Sequence, residues 1–145
     1  MRFYLAGSYG RREELSRYAK KIEEVGHLVT SRWLDKENVP YENPITFFPK
    51  SAEQDIEDIH DAQFLILFTE DRRGKMRSGG KDVDMGVALA LHKQIILVGP
   101  RLNVFHYLPG ITRFRRWEDA WEQLFEKWEA LDAANKSDRW EVVHR

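Results

Sequence analysis

The chain contains no cysteine. That excludes a disulfide framework and any thiolate zinc site. Neither sign of charge dominates: 23 Lys and Arg stand against 24 Asp and Glu, for a net charge of −1. Nothing global therefore favours a nucleic-acid polymer as partner, although a small anion needs only a local cluster. No apolar run approaches the ~20 residues of a membrane-spanning helix, and no leader-like segment opens the sequence. A cytoplasmic setting is the expectation, with no membrane partner. Proline is scarce, and three of the five fall in one stretch, as Pro40, Pro44 and Pro49. Internal repeats and low-complexity segments are absent.

What is present is an ordinary globular mixture, 42% hydrophobic and 32% charged over 145 residues. That length supports one domain with a sizeable core. A single α/β domain is expected over residues 1–134, with a polar tail at 135–145. Arg2-Phe3-Tyr4-Leu5-Ala6 is short and apolar and reads as a first buried strand. Gly7-Ser8-Tyr9-Gly10 breaks it. Residues 11–25 carry helical periodicity in Leu15, Tyr18, Ala19, Ile22 and Val25, and Gly26 sits where a C-terminal cap belongs. Residues 27–31 read as a second strand. Strand, helix and strand within some thirty residues form a βαβ unit, which requires parallel strands and a right-handed crossover.

Residues 32–50 break this rhythm with three prolines, Trp33, Tyr41, Phe47 and Phe48. A connection of that length suggests a lid or binding loop. Ser51 and Gln54 then form a capping-box pattern for a helix over 52–61. Residues 62–68 give the third and most apolar strand. A charged loop at 69–80 leads into a helix over 81–91 that is apolar nearly all round, so burial is expected. Residues 94–98 form a fourth strand and 111–114 a fifth. Residues 117–134 form a final helix, with Trp117, Ala120, Trp121, Leu124, Phe125, Trp128 and Leu131 on one stripe. The expected architecture is a flavodoxin-like open parallel sheet of about five strands in the order 2-1-3-4-5, with helices on both faces. Ligands of such sheets bind beyond the carboxyl ends of the strands, where the order reverses.

That edge gathers the residues that are odd as core. Gly7, Ser8, Arg11 and Arg12 join a strand to a helix N-terminus, where free amides and the helix dipole favour an anion. Ser78, Gly79 and Gly80 form a second entrance. Asp82 and Asp84 open the apolar helix, two residues apart and so pointing in different directions. An ionised Asp84, its pKa held low by the dipole, would act as a nucleophile or as the partner of a cation. Asp55, Asp58 and Asp61 recur every three residues. Asp58 and Asp61 suit a solvated face, whereas Asp55 lies nearer the lid. Trp33 leaves the second strand at its carboxyl end and can stack on a ligand ring. The five histidines show no metal-ligand spacing. His106 lies in the loop after strand four, facing either the site or a neighbouring subunit.

Tyr4-Leu5-Ala6-Gly7-Ser8, Asp55 ahead of the third strand, Ser78-Gly79-Gly80-x-x-x-Asp84-x-Gly86-x-Ala88-x-Ala90, and the run Val98 to Phe105 together resemble the nucleoside 2-deoxyribosyltransferase family. The group includes nucleoside 5′-monophosphate N-glycosidases. The likeness runs from Arg2 to about Trp117. It implies a flavodoxin-like fold, homo-oligomers with shared sites, and cleavage of the N-glycosidic bond of a nucleoside or nucleotide with no metal or cofactor. It maps the family's catalytic acid onto Asp84, the base-side aspartate onto Asp55 and the first-strand tyrosine onto Tyr4. For a 5′-phosphate it recruits Gly7, Ser8, Arg11 or Arg12, and Ser78; Gly80, Asp82 and Trp33 are further candidates for holding the substrate. Asn103 or His106 would reach a neighbouring site. The family acid is usually Glu, so Asp84 is one methylene short. A non-catalytic nucleotide-binding or sensing module that retains this pocket is the alternative reading.

Overall fold

The computed structural model describes residues 1–35, 44–71, 79–128, 130, 133 and 134. Five strands form one sheet: β1 (Arg2–Ala6), β2 (Leu28–Val29), β3 (Phe64–Phe68), β4 (Gln94–Val98) and β5 (Thr112–Phe114). Their order is β2-β1-β3-β4-β5, and every neighbouring pair is parallel. This is the expected topology, with the reversal between β1 and β3. The helices are α1 (Arg12–Glu24), α2 (Pro44–Asp61), α3 (Gly80–Ala90) and α4 (Trp117–Trp121).

Side-chain alternation along the strands builds two cores. Phe3 and Leu5 of β1 join Leu15, Ala19 and Ile22 of α1 and Trp117 and Ala120 of α4 on one face. Tyr4 and Ala6 join Ile59 of α2 and Met85 and Ala88 of α3 on the other. A sheet buried on both faces demands strands without a polar side, and β3 meets that demand with Leu65 through Phe68 all buried.

Four expectations need correction. First, β2 has two residues rather than five. The ladder reaches Thr30, whose amide donates to the Phe3 carbonyl at 2.8 Å. Side chains then take over: Ser31 Oγ accepts from the Leu5 amide at 2.6 Å, and Trp33 Nε1 donates to the Leu5 carbonyl at 2.8 Å. Second, α2 begins at Pro44 rather than Ala52, so Ser51 and Gln54 are helical and do not start the element. Proline suits a first helical position. Pro49 inside the helix forfeits only the bond to the carbonyl of Ile45, a residue 85% exposed, where water can replace it. Residues 36–43 of the expected lid lie outside the described residues, as does the tail from Asn135.

Third, α3 is buried on one face only: Met85 and Ala88 face the core, while Gly86 is exposed and Val83 is 64% exposed. An apolar composition gave no sign of which face would be left out. Fourth, the last helix does not hold a 3.6-residue stripe. After Trp121 it widens into a π-turn, Glu122–Glu126. The widening carries Phe125 into full burial and leaves Trp128 half exposed.

The close packing of α1 on β1 explains Gly7. A Cβ there would stand 2.7 Å from Leu15 Cδ1, and Leu15 is wholly buried with little room to turn. Gly7→Ala is therefore expected to destabilise the fold by about 1–2 kcal/mol through overpacking, a change readable in the midpoint of urea unfolding.

Candidate active site

Tyr4, the middle residue of β1, turns its side chain to the α2–α3 face. It is fully buried. Its hydroxyl donates to Asp84 Oδ2 at 3.2 Å, joining β1 to α3 across 80 residues of sequence. Gly79 caps α3 in the left-handed conformation (φ 75°), a position that suits glycine. Asp82 falls in the first turn, whereas Asp84 is the fifth residue of the helix. It lies beyond the turn in which the dipole acts strongly.

Asp84 is accordingly not held low. Burial pushes its pKa up to about 7, and the negative charge of Asp55 adds to the rise, against a smaller lowering by the Tyr4 hydroxyl. This reverses the expectation of a dipole-stabilised carboxylate. Desolvation by burial, followed by the charges of Asp84 and Asp55, drives the Tyr4 hydroxyl far above the ordinary phenol range. Tyr4 therefore remains a hydrogen-bond donor at any working pH. A buried phenol and two carboxyls from β1, α2 and α3 thus share one small region.

The remaining expected residues are distributed as follows. Gly7 and Ser8 follow β1, and Ser8 precedes a 3₁₀ turn at Tyr9–Arg11 without bonding that turn through its side chain. The Arg11 guanidinium is bound to Glu14 at 3.0 Å and to the Glu70 carbonyl at 3.0 Å, and lies 5.4 Å over the Phe68 ring. Arg12 donates to the Leu34 carbonyl at 3.0 Å. Both arginines are thus engaged by the protein itself. Trp33 is partly buried between the two cores, with its N–H committed to Leu5. Gly80 is the first residue of α3 and is exposed. Ser78 lies outside the described residues.

Asn103 and His106 sit together in the turn after β4. Asn103 Oδ1 accepts from the Phe105 amide at 3.0 Å, and His106 Nδ1 accepts from the Leu102 amide at 2.9 Å. His106 is buried, and that burial lowers its pKa; nearby Asp82 raises it and Lys81 lowers it. The interaction with Lys81 and Asp82 places this turn beside the start of α3. Lys81 itself is paired with Asp71. No group of three or more His, Asp or Glu side chains among the described residues is arranged to hold a metal ion.

One buried charge was misread. Asp58, expected on a solvated face, is 4% exposed. It accepts from the Arg32 amide at 3.0 Å and from Arg32 Nε at 2.8 Å. A three-residue repeat of aspartates does not tell which member turns inward. The polar run Thr30-Ser31-Arg32 at a strand exit was the available signal.

No protein-family model matches the chain. No curated protein matches it in sequence. Solved structures do match. A 2-deoxyribosyltransferase from the psychrotolerant bacterium Bacillus psychrosaccharolyticus superposes with a TM-score of 0.67 at 18% identity, over 88% of this chain and 95% of that one. The Clostridium botulinum CMP N-glycosidase BcmB superposes with a TM-score of 0.52 at 20% identity, over 79% of this chain and 88% of that one. The chain has the fold of a 2-deoxyribosyltransferase.

A group whose pKa is raised by folding binds more protons in the native state than in the unfolded one. Between the ordinary carboxylate range and about 7, stability therefore falls as pH rises. Asp84→Asn removes that dependence. At pH 8 the variant is expected to be more stable than the parent by about 1–3 kcal/mol, with the two converging near pH 4, in thermal melts across that range. Tyr4→Phe removes the lowering hydrogen bond, so the Asp84 titration is expected to move above about 7, read by carboxyl ¹³C NMR.

Proposed function

We propose that this protein cleaves the N-glycosidic bond of a nucleoside 5′-monophosphate, with Asp84 acting at C1′ and Asp55 on the base side. The observation that carries the reading is the Tyr4–Asp84–Asp55 cluster, which joins β1, α3 and α2. The sheet order adds support to the reading, since open α/β sheets bind ligands beyond the carboxyl ends of their strands where the order reverses, here between β1 and β3. The solved structures of the same fold, one a 2-deoxyribosyltransferase and one a CMP N-glycosidase, support it.

Cleavage breaks the C1′–N bond and leaves the electron pair on the base. The sugar develops oxocarbenium character, which a nearby carboxylate stabilises. The base departs as a neutral molecule if a proton reaches its nitrogen, and Asp55 is the group assigned to that side. Water or a second base then completes the bond at C1′. Titration near 7 makes Asp84 available in both protonation states at neutral pH, which suits acid–base work. The loop Gly7–Ser8 offers backbone amides at a helix entrance for a 5′-phosphate. Arg11 and Arg12 would have to leave Glu14 and Leu34 to join it.

A binding module without turnover is the second reading. Its support is the length of Asp84, one methylene shorter than the glutamate usual at that position, which sets the carboxylate farther from C1′. Incubation with a panel of ribo- and deoxyribonucleoside monophosphates, followed by chromatography, separates the two. Release of free base is expected, with Asp84→Ala losing roughly a thousandfold in rate. Binding by calorimetry without release would favour the module, and full activity in Asp84→Ala would remove Asp84 from the chemistry.

The turn after β4 presents Leu102, Val104, Phe105, Tyr107 and Leu108, all exposed, around Asn103. Exposed apolar side chains so close together favour a protein partner, and a second copy of this chain is the one proposed. Val104→Asp with Tyr107→Glu is expected to halve the mass in sedimentation equilibrium if the parent is a dimer; an unchanged mass would place the interface elsewhere.

A further inference from the structure

Asp55 is one helical turn before Asp58 on α2, on the same side of the helix. Several bonds hold that turn in place. The Asp58 carboxylate takes two bonds from one residue, the Arg32 amide at 3.0 Å and Arg32 Nε at 2.8 Å. The Asp58 carbonyl takes a third, from Thr30 Oγ1 at 2.8 Å. The amide of Thr30 is in turn bonded to the Phe3 carbonyl, next in sequence to Tyr4. Arg32 also reaches Glu57 Oε2 at 3.2 Å. A continuous series of bonds therefore runs from β1, beside Tyr4, through the exit of β2, to the turn of α2 below Asp55. The Asp58 carboxylate is buried, and burying one is costly unless it is fully paired, as Asp58 is with Arg32.

We propose that the Arg32–Asp58 pair is a positioning element, one that holds Asp55 against Asp84 and Tyr4 in the geometry the cluster needs. Its value to catalysis rests on the N-glycosidase reading; its effect on the cluster does not. The groups acting on Asp84 are Tyr4 from β1 and Asp55 from α2. Lys81 and Asp82, on its own helix, act on His106 of the turn after β4. Asp58 acts on Tyr4.

Arg32→Gln separates positioning from a simple change of charge. Loss of the clasp lets Asp55 move away, and since Asp55 raises the Asp84 titration, the midpoint should fall. A pure field effect has the opposite sign, because removing a cation exposes the negative charge of Asp58 and pushes the midpoint up. The experiment is carboxyl ¹³C NMR titration of Asp84 in the full chain, with kcat and KM on the best nucleotide. In Arg32→Gln the midpoint is expected to drop by about half to one pH unit, with kcat down about tenfold and KM within about twofold. Arg32→Lys, which keeps the charge, should recover part of both. Thr30→Val removes a tie without touching any charge, should lower the midpoint by a smaller amount, and serves if Arg32→Gln does not fold. An unchanged or raised midpoint in Arg32→Gln, or in Thr30→Val where only that variant folds, would overturn the proposal and leave the pair a stabiliser of the fold. If the parent cleaves no nucleotide, the N-glycosidase reading fails by itself, and the NMR midpoints still decide whether the pair positions Asp55.

Discussion

A buried phenol donating to a partly buried carboxyl ties the first strand to the third helix, and much else follows from that contact. Tyr4 points to the α2–α3 face because β1 alternates. Asp84 meets it because α3 begins just after a left-handed glycine and packs Met85 and Ala88 inward. With the carboxyl out of water and Asp55 near by, its charged form is disfavoured until about pH 7. The same burial that weakens the fold above that pH gives the group a proton to exchange at neutrality. Stability and chemical competence are set against each other in one side chain, as is common at functional sites.

The sheet order and the two-sided core were readable from the sequence, since runs such as Phe64 to Phe68 admit few alternatives and the βαβ spacing dictates a parallel crossover. The start of α3 was legible from topology as part of the edge where that order reverses, whereas Tyr4 and Asp55 were joined to Asp84 only by the family resemblance; the structure links Tyr4 to Asp84 by a hydrogen bond and Asp55 to it by charge. The state of Asp84 was not legible. Position on a helix suggested dipole stabilisation, and only three-dimensional burial shows that desolvation outweighs it. Asp58 was misassigned for a related reason. Periodicity identifies a face but not its environment, and the partner that makes burial tolerable, Arg32, lies 26 residues away. The start of α2 is hidden in the sequence because three prolines within ten residues read as a break, whereas proline at a first helical position is neutral or helpful. The π-turn after Trp121 leaves no local signature in composition.

The engagement of Arg11 and Arg12 refines the picture of the first loop. Sequence places two cations at a helix entrance, which suggests an anion site. The structure gives each an internal acceptor. What the loop offers directly is backbone amide and the Ser8 hydroxyl.

The abrupt end of β2 has one further consequence. A parallel sheet that stops short leaves the next strand with open amides and carbonyls, the template on which another chain can add itself. Here the outward-facing amide and carbonyl of Leu5 are both taken, one by a serine hydroxyl and the other by an indole N–H. Side chains thus close the border of the sheet where backbone leaves it unfinished. The protein can keep a short, irregular margin around its cleft without offering that margin as a seed for edge-to-edge aggregation.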